Sequence, residues 1–244
     1  MNEGTVKDAR QSAGRFFVSP MIRRGLMAVA AVVLSALLFV PAAQAKYASF
    51  VMDAGTGKVL HSVNADTRNY PASLTKMMTL YLVFEALAEK KWTLGTKLKV
   101  SSRAARQPAS RLALARGKTI SVQNAILALV TKSANDVATV IAENMSGRER
   151  DFALKMTAKA RKLGMSRTTF RNASGLYNRA QLSTARDMAT LAHALLRDFP
   201  QYYHYFSTPT FSYAGYTHRN HNKLLKTYDG ADGIKTGYIR ASGF

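Results

Sequence analysis

Pro71-Ala72-Ser73-Leu74-Thr75-Lys76-Met77-Met78-Thr79-Leu80-Tyr81-Leu82-Val83-Phe84 is the stretch on which the reading of this chain turns. From Ser73 to about Lys91 apolar residues occupy more than one helical face, which predicts a helix buried through the middle of a domain. Two polar residues stand at its start. Ser73 and Lys76 are one helical turn apart, so the amine can reach the hydroxyl. A serine hydroxyl is a poor nucleophile until a base takes its proton. A lysine in a first turn opposes the helix dipole, and an apolar surround disfavours its charge. Both effects favour the neutral amine that a base requires. A capping serine beside a surface lysine fits less well, with Leu74 on one side and Met77-Met78 on the other.

Before this helix, Ser49–Met52 and Lys58–His61 flank Ala54-Gly55-Thr56-Gly57 and read as a β-hairpin. After it the pattern is helical: Ser121 to Lys132, Asp136 to Met145 with a stop at Gly147, and Glu149 to Leu163 closed by Gly164. A further helix starts at the capping box Thr184-Ala185-Arg186-Asp187 and runs to about Arg197, before Pro200. The aromatic stretch from Tyr202 to Tyr216 gives no clear period, and Gly233 to Ile239 reads as a strand. Strands, then many helices, then a strand point to an α+β fold, an antiparallel sheet flanked by helices with a helical lobe beside it.

Two further short patterns accompany Ser73 and Lys76. Ser133-Ala134-Asn135 falls between two helical segments, where a second hydroxyl could pass a proton and an amide could hold a peptide carbonyl. Ser62-Val63-Asn64, in the hairpin, has the same form, and a plain helix break accounts for Ser133 equally well. Lys235-Thr236-Gly237 offers an ammonium and a hydroxyl for a carboxylate, next to a residue without a Cβ where a ligand can approach. A protective lysine on an exposed edge strand is the blander account.

In this order the three patterns match the active-site triplet of penicillin-binding proteins and class A β-lactamases. The chain resembles the low-molecular-weight D-alanyl-D-alanine carboxypeptidases along its length from about Ala48. The resemblance rests also on Leu163-Gly164-Met165, Asn172-Ala173-Ser174-Gly175-Leu176, Ser183-Thr184-Ala185-Arg186-Asp187 and Asp232-Gly233-Ile234. It implies that Ser73 is acylated by the penultimate D-alanine of a peptidoglycan stem pentapeptide, with Lys76 as the acylation base. It further implies that Ser133 relays the proton to the leaving amine and that Asn135 binds the substrate backbone. Lys235 and Thr236, beside Gly237, would hold the terminal carboxylate, and the N–H groups of Ser73 and Tyr238 would form the oxyanion hole. β-Lactams would acylate the same serine. No cofactor and no metal are implied; His218-x-x-His221 lacks acidic neighbours and reads as a loop.

The first residues are expected to lie outside this domain. Arg23-Arg24, the apolar run Leu26 to Val40 and Ala43-Gln44-Ala45 form a secretory signal peptide over 1–45, cut after Ala45, with 46–244 as the catalytic domain. A start at Met21 would leave a signal of ordinary length. Export to the periplasm or the outer face of the cytoplasmic membrane follows. Of the formal net charge of +21, about +18 remains in 46–244. Outside the cytoplasm that charge suits anionic wall or membrane surface, or is a solvated face, and a nucleic-acid partner is disfavoured. The absence of cysteine excludes disulfides and thiol catalysis.

Two departures stand against the family pattern. Ile239 occupies a position where many members carry threonine, with Arg240 after it. The sequence also stops just past the third motif, so an unfinished sheet is expected, and the peripheral membrane attachment implied by the resemblance would need a C-terminal segment not present here. A β-lactamase would need a deacylating glutamate, and neither Glu143 nor Glu149, the two between the second and third motifs, sits in a Glu-x-x-Leu-Asn loop, so slow penicillin hydrolysis is expected. A peptidoglycan endopeptidase uses the same machinery, and a non-catalytic wall-binding or β-lactam-sensing module is the alternative from another class.

Overall fold

The computed structural model describes residues 47–239. The expected signal peptide and Arg240 lie outside the described residues. Strand β1 (Ser49–Met52) pairs antiparallel with β2 (Val59–Val63), Ser49 opposite Val63 and Val51 opposite His61. Their turn is closed by Asp53, whose carboxylate accepts the Thr56 N–H at 2.7 Å, and by Gly57 at φ +73°. Ser62 and Asn64 sit on this exposed hairpin, so the duplicate of the second motif is a coincidence of sequence.

The deciding stretch forms a 3-10 turn, Ala72–Leu74, that runs into helix α1, Thr75–Ala88. Met78, Leu80, Val83 and Phe84 have no exposed surface, as expected of a helix apolar on several faces. The short helix α2 (Ser102–Ala105) lies between strands β3 (Lys97–Lys99) and β4 (Thr119–Ser121), which pair with Leu98 opposite Ile120. Helices α3 (Val122–Val130), α4 (Asn135–Ser146), α5 (Glu149–Lys162) and α6 (Ala185–Asp198) all pack against α1.

Their ends carry the expected signals. Gly147 and Gly164 take φ +74° and +85°, values at which a Cβ is penalised. The Thr184 hydroxyl accepts the Asp187 N–H at 3.1 Å. Beyond α6, helix α7 (Pro200–Tyr203) and a 3-10 turn fold the aromatic stretch back onto α1, where Tyr202 stacks on Phe84 at 5.1 Å between ring centres. The first part of the stretch has no period because Tyr202 and Phe206 gather around the Phe84 ring. Strands β5 (Thr210–Tyr213) and β6 (Tyr216–Arg219) then form a hairpin across Ala214-Gly215, both at positive φ.

Mixed helix and strand is therefore the observed class, with one correction. Among the described residues the strands pair as three separate two-stranded sheets, and Gly233–Ile239 is not a strand. Its alternating Ile234, Thr236 and Tyr238 satisfy the local pattern, but a strand needs a ladder along its length, and within this segment bridge pairing is assigned at Ile239 alone. It is held instead from the side: the Asn222 amide donates to the Gly233 carbonyl at 2.9 Å, and Gly237 abuts Leu74 and Pro71. Among the described residues no helix is long and apolar enough to cross a membrane.

Candidate active site

Lys76 is fully buried, among the largest side chains of which that is true in the described residues. Its Nζ lies 3.2 Å from Ser73 Oγ, 2.8 Å from Asn135 Oδ1 and 2.5 Å from the Ser174 carbonyl oxygen. The Asn135 amide nitrogen donates to the Pro108 carbonyl at 3.1 Å, which fixes the oxygen toward the lysine. Two of the three partners are thus pure acceptors. A neutral amine has two N–H bonds for them and one lone pair left for the Ser73 hydroxyl proton. Electrostatics favour that state: burial first, then the Lys235 ammonium, hold Lys76 well below the usual lysine range, with Asp136 pulling weakly the other way.

Each wall of the site is built from local chemistry. Ser73 sits at the start of the α1 segment, after Ala72 at φ +47°. Ser133 lies in the α3–α4 junction at φ +56°, and its buried Oγ has no hydrogen-bond partner among the described residues. Such strain costs on the order of 1–3 kcal/mol and clusters where function needs it. Asp136, fully buried at the start of α4, accepts the N–H groups of Leu112 and Leu114, each at 3.1 Å, and of Val137 at 2.9 Å. That clamps the loop carrying Ala109 and Ser110, and Ser110 adds a bond from its hydroxyl to the Lys132 carbonyl at 2.8 Å.

The opposite wall is the loop Asn172–Leu176. Asn172 accepts the Gly175 N–H at 2.7 Å and donates to the Leu176 carbonyl at 2.9 Å, while Thr79 on α1 donates to the Ala173 carbonyl at 2.8 Å. A Cβ built on Gly175, at φ +87°, would lie 1.8 Å from the Ala72 carbonyl oxygen. The two backbones cross there with no room for a side chain.

These segments enclose a cleft of about 630 Å³, lined by Ser73, Ser133, Asn135, Thr236, Gly237 and Tyr238 together with Ser110, Ser174, Leu176 and His221. Of the residues singled out in the sequence, Lys76 lies beneath the cleft. Lys235 is half-buried beside it, donating to the Thr236 carbonyl at 2.8 Å, and burial pushes its ammonium down to about 8. Glu149 is taken up elsewhere, accepting Arg103 and the Ala173 N–H. Neither it nor Glu143 lines the cleft.

Sequence reasoning missed Ser110, the Ser174 carbonyl and His221 as cleft groups. In sequence His221 stands out only as half of the His218-x-x-His221 pair, and among the described residues there is no group of three or more metal-type ligands. Its ring is held below the usual histidine range by burial and then by Lys235, Lys132 and Lys76.

The sequence profile of the D-alanyl-D-alanine carboxypeptidases, Peptidase_S11, matches residues 39–244. The chain belongs to this family. It is 36% identical to the D-alanyl-D-alanine carboxypeptidase DacF of Bacillus subtilis over 197 residues, covering 77% of this chain and 49% of that protein. It is 35% identical to DacC of Escherichia coli, covering 80% of this chain and 50% of the relative. The chain therefore spans about half the length of these curated relatives. Among solved structures, penicillin-binding protein D2 of Listeria monocytogenes in its ampicillin-bound form superposes with a TM-score of 0.72 at 33% identity, covering 83% of this chain and 82% of that one. Penicillin-binding protein 5 of Haemophilus influenzae gives a TM-score of 0.76 at 33% identity, covering 79% and 57%. The mixed fold with small antiparallel sheets is the DD-peptidase fold.

Proposed function

We propose that this protein is a serine-type D-alanyl-D-alanine carboxypeptidase that removes the terminal D-alanine from peptidoglycan stem pentapeptides and is acylated by β-lactams. The observation that carries the reading is the fully buried Lys76 amine, within hydrogen-bond reach of Ser73 Oγ, Asn135 Oδ1 and the Ser174 carbonyl at once. In the acylation step the Ser73 O–H proton passes to Lys76 as Oγ attacks the penultimate carbonyl. The C–N bond to the terminal D-alanine breaks, and its amine takes a proton from Lys76 through the Ser133 hydroxyl. Backbone N–H groups of Ser73 and Tyr238 stabilise the oxyanion. Lys235 and Thr236 hold the terminal carboxylate, with Gly237 leaving room for it, and Asn135 steadies the substrate backbone as well as Lys76. Water then hydrolyses the ester on Ser73.

The same reading puts the protein outside the cytoplasmic membrane, on the strength of the basic, apolar and Ala-Gln-Ala pattern in 1–45. Peripheral attachment to the membrane belongs to it and rests on the resemblance alone. The test is incubation with a fluorescent penicillin, mass spectrometry of the adduct, and assay of D-alanine release from a pentapeptide. An adduct on Ser73 that disappears in Ser73→Ala, together with D-alanine release, supports the reading. Absence of both from folded protein overturns it, and cleavage of crosslinked dimers without D-alanine release would make the protein an endopeptidase.

A further inference from the structure

Between Glu89 and Asp136 the chain has ten basic residues and no acidic one. The structure places the middle of this stretch on an exposed two-stranded ribbon and on the loop that joins its strands. In the β3–β4 ribbon Leu98 and Ile120 are buried at 1% and 2% exposure, so the alternating neighbours Lys97 and Lys99 face outward. The ribbon continues through Val100, whose N–H donates to the Lys118 carbonyl at 2.9 Å, bringing Arg116 and Lys118 alongside. Lys97, Lys99, Arg106, Arg116 and Lys118 are all exposed and have no ion pair among the described residues. The scaffold is fixed, because the Asn144 side chain on α4 both donates to and accepts from the backbone of Lys99. The loop that carries Arg106 then runs directly into Ala109 and Ser110 on the wall of the catalytic cleft.

We infer that this ribbon and loop form a docking surface for the peptidoglycan strand itself, whose stem peptides carry free carboxylates, and that it holds the polymer beside the cleft in which one stem peptide reacts. The inference rests on the proposed function and adds to it the part of the substrate that the cleft does not touch. Unpaired cations on a fixed scaffold attract a polyanion over roughly 8–10 Å at physiological salt, the distance over which charge is felt in solution. A bilayer suits the surface less well. Interfacial binding needs apolar side chains to insert, and none of the exposed large apolar residues falls between Glu89 and Asp136. Continuity with the cleft wall favours the polymer that must enter there.

The experiment compares the full chain with its Lys97→Gln, Lys99→Gln, Arg116→Gln, Lys118→Gln variant. Both are sedimented with lipid-free peptidoglycan sacculi stripped of phosphodiester-linked polymers, at low salt and at about 0.5 M salt, where screening shortens to a few ångströms. Fluorescent penicillin labelling of Ser73 runs in parallel and reports whether the variant is folded and its cleft intact. Expected are salt-sensitive co-sedimentation of the native chain, an apparent affinity weaker by about tenfold or more in the variant, and equal penicillin labelling. The inference is overturned if the variant sediments like the native chain. It is equally overturned if the native chain ignores stripped sacculi yet binds sacculi that retain phosphate polymers, or binds vesicles of equimolar phosphatidylglycerol and phosphatidylcholine. Failure of the native chain to label with penicillin would sink the catalytic reading while leaving sacculus binding to be scored separately.

Discussion

Replacing Asp136 with alanine removes one carboxylate and strands three backbone donors. Leu112 and Leu114 donate to it across 24 and 22 residues of chain, and Val137 donates from the first turn of α4. Leaving a buried donor unpaired costs about 1–3 kcal/mol. The two long-range bonds alone therefore predict a loss of about 4 kcal/mol, a large share of the 5–15 kcal/mol that holds an ordinary domain folded. Asp136→Asn separates hydrogen bonding from charge. Its amide oxygen can still serve Leu112 and Val137, while its NH2 would face the Leu114 N–H, so about half the loss, roughly 2 kcal/mol, is expected. Urea unfolding reads both values, with an unchanged m-value required for the comparison. Penicillin labelling should fall with stability in both variants, since the loop carrying Ser110 loses its tie. Equal losses in the two variants would assign the effect to charge. An Asp136→Ala protein within about 0.5 kcal/mol of the native chain would refute the account of this loop altogether.

Four further outcomes are expected. Penicillin labelling should decline above about pH 8, where Lys235 loses the charge that anchors a carboxylate; Lys235→Arg should remove that decline, and an unchanged alkaline limb in the variant would rule Lys235 out as its source. Because Lys235 falls from 10.5 to about 8 on folding, the unfolded chain holds the extra proton between those values, so this group's contribution to stability rises with pH across that window. Ser133→Ala should slow acylation by about a hundredfold or more while leaving the thermal midpoint unchanged, because its hydroxyl has no partner to lose; a lowered midpoint with normal acylation would contradict the relay. Thr184→Ala should cost about 1 kcal/mol by denaturant titration, through loss of its cap to Asp187, and leave labelling intact.

What could be read from sequence was what is decided within a few residues. The stops at Gly147 and Gly164 and the cap at Thr184 depend on φ and on one side chain, so they were legible. So was the Ser73–Lys76 pair, which needs only a helical turn. The Ser174 carbonyl was not, because it meets Lys76 across 98 residues of chain. Nor was the loop at Ser110, which reaches the cleft through bonds to Lys132, Asn135 and Asp136. Gly233–Ile239 shows the converse failure: its alternation is local, but strand identity needs a ladder along the whole segment, and bridge pairing is assigned only at Ile239. The aromatic stretch after Tyr202 had no single period to find, since Tyr202 and Phe206 pack on Phe84 while Phe211, Tyr213 and Tyr216 belong to the β5–β6 hairpin.

Gly175 has a consequence for how such a site can change over generations. With the Ala72 carbonyl where its Cβ would be, every missense change at this codon drives the Ser73 turn and the opposite loop apart, so the position offers no neutral step toward a wider or narrower mouth. The wall formed by Asn172–Leu176 is welded to the serine it faces. His221, Tyr238 and Ile239 line the same cleft with side chains of their own, so a substitution there changes the lining without adding a Cβ where none fits. A chain that keeps this crossing of backbones must keep the glycine.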